Sequence, residues 1–189
     1  RRLRATHFSF SFVRNPFDRL VAAYNNKILE IDDVPLPMKS MGLHHGMAFD
    51  HFIEAVCESD PDHMDNHVRP QADMLLYSNQ IVPKFIGRME HMPDHWQRLR
   101  RRMKKEGLPT LGKLPLKNVR RDGRSDIRNL FCTTELVNKV LDRYAQDLNT
   151  FYSDYSIEEL LNGDCLKKLP PLQRKTKESD PKKDLQPST

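Results

Sequence analysis

The 189 residues, 38% of them hydrophobic, suffice for one core and leave little for a second. No continuous apolar run reaches the roughly 7 to 15 residues of a secretory signal or the ~20 of a spanning helix, which predicts a soluble polypeptide. The formal net charge of +5 is unevenly spread: residues 1–27 hold six basic and one acidic side chain, 28–96 four basic and twelve acidic, and 97–124 eleven basic and two acidic, so two positive blocks can focus an anion.

The first residue is Arg1 rather than Met, and the chain moves at once into a strand pattern, which predicts a start within a domain. Residues 8–13 alternate aromatic with small polar side chains at period two, and Asn15-Pro16 ends the strand. A helix follows, with Asn15 at the cap, Pro16 in the first turn, and Phe17, Leu20, Val21, Tyr24 and Ile28 at helical spacing. Residues 32–46, rich in Pro, Gly and Met, read as a long surface excursion. Phe49, Phe52, Ile53 and Val56 predict a short amphipathic helix, and 58–67 is polar and acidic. Residues 81–88 hold a second strand with Pro83 at its edge. A basic helix over about 93–105 places Trp96, Leu99 and Met103 on one face, and one continuous helix is expected over 133–151. Residues 1–165 then form one domain, and the Lys-, Pro- and Ser-rich residues 166–189 are expected to be a disordered tail. Cys57, Cys132 and Cys165 lie far apart without CxxC spacing and read as ordinary buried thiols.

A strand end that delivers Arg14 into a turn, followed by a helix whose free N–H groups face the same spot, is an anion site, with Arg14 suited to bidentate phosphate contact. The same residues equally allow Arg14 and Arg19 simply to pair with Asp18 on a solvated face. His67 is a residue type suited to general-base work on a hydroxyl, and it could also be a pin for the neighbouring loop. His63 and His67 are four apart, a zinc spacing on a helix, but the local sequence is turn-like and no metal is expected. The basic block 98–124 admits nucleic-acid binding as a rival account, although no aromatic side chains interleave with its charges, and no nucleic-acid partner is expected.

The stretch Arg14-Asn15-Pro16-Phe17-Asp18-Arg19-Leu20-Val21-Ala22-Ala23-Tyr24-Asn25-Asn26-Lys27 resembles the 3′-phosphate motif of carbohydrate sulfotransferases of the Golgi and bacterial type. Three more pieces follow in that family's order: Asn66-His67-Val68-Arg69-Pro70-Gln71, Phe85-Ile86-Gly87-Arg88-Met89-Glu90, and Tyr144-Ala145-Gln146-Asp147 through Phe151. Together the resemblance spans residues 7–155.

The resemblance implies an α/β fold of the P-loop type, with a small parallel sheet and flanking helices, incomplete at its N-terminus. It implies transfer of a sulfuryl group from 3′-phosphoadenylyl sulfate (PAPS) to a hydroxyl, most naturally of a carbohydrate. Arg14 and Arg19, with Arg121 and Gly123 in a later basic loop, would hold the donor; His67 would be the base; and Arg69, His44 and His45 would contact the acceptor. The family's 5′-phosphosulfate loop carries a Lys, and none precedes Lys27, so that loop is expected upstream and residues 1–189 alone are expected to be inactive. A nucleotide-binding or interaction module without chemistry is the alternative. Ala22 stands where the family has a phosphate-binding Ser. The compartment implied is either the bacterial cytoplasm or membrane surface or the Golgi lumen, with membrane association only through a segment outside this chain.

Overall fold

The computed structural model describes residues 7–114 and 127–163, and Arg121, Gly123, Cys165 and the expected tail lie outside them. Strand β1 (Phe10–Val13) enters α1 (Pro16–Ala23) through two residues, Arg14 and the cap Asn15. Asn15 is 1% exposed, and its Oδ1 accepts from the Phe17 N–H at 3.1 Å, as the Asn-Pro pair predicts. Beyond α1 the chain widens into a π-helical turn, Tyr24–Leu29, which keeps Tyr24 and Ile28 in the core. The excursion contains α2 (Leu36–Ser40), and α3 (Phe49–Glu58) buries the four apolar residues expected of it.

A short helix α4 (Gln71–Leu75) leads into a hairpin of β2 (Leu76–Tyr77) and β3 (Gln80–Ile81), and β4 (Phe85–Arg88) follows. The expected strand over 81–88 is therefore two strands parted at Pro83, whose missing N–H cannot join a ladder. β1 and β4 pair in parallel, Phe10 opposite Phe85 and Val13 opposite Arg88. Gly87 lies under the Phe12 ring, where a Cβ would stand 2.3 Å from Cε1, so only glycine fits the register.

Helix α5 (Met92–Lys105) packs on β4 with Leu99 fully buried and Trp96 and Met103 half-buried beside it. After α6 (Ile127–Leu130), the continuous helix expected over 133–151 is broken at Tyr144 (φ −107°, ψ 21°) into α7 (Thr134–Arg143) and α8 (Ala145–Phe151). Tyr144 is 1% exposed and donates to the Val68 carbonyl at 2.5 Å, a bond the break makes possible. A capping box, Ser156 with Glu159, starts α9 (Ile157–Leu161). The core is aromatic: Phe17 and Phe49 each stand edge-on to Phe131, with centroids 5.1 and 5.0 Å away, and Tyr24 stands edge-on to Phe49 at 5.1 Å. Helices and a small parallel sheet thus give the α/β character expected. Cys57 is half-buried and Cys132 is exposed, so the expectation that the thiols are buried fails at Cys132, which sits between α6 and α7. No helix among the described residues is long and apolar enough to cross a membrane.

Candidate active site

The carboxyl ends of the two parallel strands open on the same edge, where open α/β sheets place their ligands. Arg14 follows β1 there. Its Nε donates to Asp18 Oδ2 at 2.5 Å, one helical turn on, which realises the ion pair that sequence alone allowed. That pair fixes the plane of the guanidinium, and among the described residues its two terminal nitrogens have no hydrogen-bond partner. The side chain keeps 29% of its exposure, so an anion can still reach the free edge.

Of the N–H groups expected to be free at the start of α1, two are engaged and one is missing. Asn15 N–H donates to Glu90 Oε1 at 2.5 Å, Phe17 N–H is capped by Asn15, and Pro16 has none. Burial pushes the Glu90 carboxyl up from its ordinary range, against the bonds it accepts from Asn15 and from the Tyr152 hydroxyl.

Arg14 is held from its other side by Gln71. The Gln71 Oε1 accepts from Arg14 N–H and its Nε2 donates to the Arg14 carbonyl, both at 2.8 Å, so one buried amide satisfies both backbone groups like an adjoining strand. Asp147, fully buried, accepts in turn from Gln71 N–H at 2.9 Å and Ala72 N–H at 2.6 Å, capping α4. Its burial pushes the carboxyl up, opposed by these same bonds and by the charge of Arg19.

Arg19, of which a donor contact was expected, makes two contacts within the protein. Its two terminal nitrogens donate to the carbonyls of Arg69 and Asn66, both at 2.6 Å, and so fasten α1 to the loop that carries His67. In that loop His67 is half-exposed, and its Nδ1 lies 2.7 Å from the buried Asp65 carboxylate. Arg69 has a buried Nε without a hydrogen-bond partner among the described residues, 3.8 Å from the nearest Asp73 oxygen.

Arg14, through Gln71, and Arg19, through the Asn66 and Arg69 carbonyls, are therefore both tied to the short segment that carries His67 and Arg69. His44 and His45 lie apart from them. Their rings bond the backbone carbonyls of His45 and Ile31, and they line a depression of about 410 Å³ with Asp32, Asp33 and Lys39. Met41, the residue before Gly42 of that depression, contacts the His67 loop, its sulfur accepting from Asp65 N–H at 3.3 Å. His63 pairs with Asp60 and His67 with Asp65, so the two histidines serve different carboxylates; no metal-holding group occurs among the described residues.

Sequence reasoning quoted Gln71, Glu90 and Asp147 inside motifs without seeing what they do. The signal was their type: an amide and two carboxylates in otherwise apolar or turn segments need buried partners. No curated protein and no solved structure matches the chain. A sequence model described as "Sulfotransferase family" matches residues 1–154.

Proposed function

The chain belongs to the sulfotransferase family, and we propose that it works within a PAPS-dependent enzyme that moves a sulfuryl group to a carbohydrate hydroxyl. The observation that carries this reading is the double tie between the Arg14 turn and the His67 loop, by Gln71 at 2.8 Å and Arg19 at 2.6 Å. A group fit to hold a phosphate and a group fit to take a proton are thereby kept in one frame, and in-line group transfer depends on such positioning.

In this reading Arg14 offers its free guanidinium edge to the 3′-phosphate of the donor. Arg19 positions rather than binds. His67 accepts the acceptor's hydroxyl proton, and Arg69, whose side chain is 29% exposed, contacts the sulfonate or an acidic acceptor group. His44 and His45 would contact a more distant part of the acceptor, from the depression beside α2. The reading includes a P-loop-type sheet to which β1 and β4 contribute, a 5′-phosphosulfate cradle outside the described residues, and residues 1–165 as the sulfotransferase part.

Labelled-sulfate transfer to a panel of polysaccharides tests it, using the full-length protein. Transfer that falls about 100-fold or more in His67→Ala, with adenosine 3′,5′-bisphosphate affinity kept, is the expected result. Tight bisphosphate binding without transfer to any hydroxyl acceptor would replace the enzyme reading with that of a nucleotide-binding module.

A further inference from the structure

Asp65 is 8% exposed and opens the turn that carries His67. Its carbonyl accepts from Val68 N–H at 3.0 Å and Arg69 N–H at 2.9 Å, which suffices to close the turn. Its side chain does more. Oδ1 accepts from the His67 backbone N–H at 2.8 Å and meets the His67 ring at Nδ1, 2.7 Å away. The first of these bonds is an ordinary turn contact. The second is not required by the turn, and the ring it holds is 53% exposed, so packing does not account for its orientation.

We propose that Asp65 is a positioning residue for His67, fixing the ring with its proton on Nδ1 and its lone pair on Nε2 toward the acceptor hydroxyl. A carboxylate only accepts, so the ring nitrogen facing it must be the donor, and the other nitrogen is left as the base. The proposal rests on the reading of His67 as the base. In the step it serves, the acceptor O–H bond breaks and its proton goes to Nε2 while the hydroxyl oxygen forms its bond to sulfur. The bond from sulfur to the donor's bridging oxygen breaks, and that oxygen keeps the electron pair on the departing bisphosphate. The negative Asp65 faces the imidazolium that results, as the carboxylate does in nucleophile–His–Asp constellations.

Asp65→Asn keeps an oxygen for the His67 backbone N–H and removes the charge. In the full-length protein it should lower kcat about 10- to 100-fold with bisphosphate affinity unchanged, beside a larger loss in His67→Ala. In ¹⁵N-histidine spectra the parental protein should show His67 protonated at Nδ1, with the preference weakened in Asp65→Asn. Parental kcat in Asp65→Asn while His67→Ala is inactive would overturn the inference alone, and so would a parental spectrum showing the proton on Nε2. Parental kcat in His67→Ala would overturn the base assignment first and the inference with it. Should the amide disturb the turn, the parental spectrum still decides.

Discussion

Arg14 and Arg88 stand at the same ends of neighbouring parallel strands, one just past Val13 and the other opposite it, yet the fold uses them in opposite ways. Arg88 is saturated: both terminal nitrogens reach Asp154, at 2.9 and 2.6 Å, and its guanidinium carbon lies 5.0 Å from the ring centres of both Tyr152 and Tyr155. Among the described residues, the Arg14 guanidinium spends only Nε, on Asp18. Exposure follows, at 12% for Arg88 and 29% for Arg14. The difference teaches that an arginine at a strand end is a binding group only where its fork is left unfilled, and a sequence cannot count that.

The contrast is broken most directly by Arg14→Ala. Calorimetry should show adenosine 3′,5′-bisphosphate binding weakened about 100-fold, roughly 3 kcal/mol of charge-assisted contact, with adenosine 5′-monophosphate hardly affected and the melting temperature nearly unchanged. Equal losses for both nucleotides would detach Arg14 from the 3′-phosphate. Arg88→Ala should do the reverse. Stranding Asp154 and opening the tyrosine sandwich should cost about 2 kcal/mol, read as a fall of roughly 4–8 °C in thermal melts, while bisphosphate affinity stays put.

Acid should act on the Arg88 side as well, because His95 Nδ1 accepts from the Arg88 backbone N–H at 2.7 Å. Burial first, then the charges of Arg98 and His91, bring the His95 imidazole down to about 4. The unfolded chain therefore takes up this proton at a higher pH than the folded one. The stability that neutral His95 contributes is whole above about pH 6.5, erodes between 6.5 and 4, and changes no further below. That loss should reach about 1–3 kcal/mol in denaturant titrations across this window, and His95→Gln, uncharged throughout, should flatten it. The smallest effect belongs to Ala22→Ser, which restores the family's hydroxyl one helical turn beyond Asp18 and should tighten the bisphosphate by about tenfold at most. Weaker binding would mean that the hydroxyl finds no partner there.

Much of this arrangement was legible in the residues. The period-two run before Asn15, the Asn-Pro cap and the apolar spacing of α1 each follow from local rules, and the structure keeps them within a residue or two. What was illegible depends on partners distant in the chain. The break at Tyr144 goes with a bond from its hydroxyl to the Val68 carbonyl, 76 residues away, and helical periodicity runs unbroken through it. Arg19 looks like a phosphate ligand because its type and its place beside Arg14 suit one; its bonds to the carbonyls of Asn66 and Arg69 are visible only in the fold. Pro83 was seen, but not that it would divide the strand in two.

Those distant partners have a consequence for the order in which the protein is made. The turn behind Arg14 is closed by Gln71 and Glu90, Gln71 is held by Asp147, and the Asn15 amide donates to the Leu160 carbonyl, 145 residues along the chain. Contacts so widely separated form late, after the loop-closure entropy between them has been overcome. On the ribosome, the Arg14 turn should stay unfinished until α9 has left the exit tunnel.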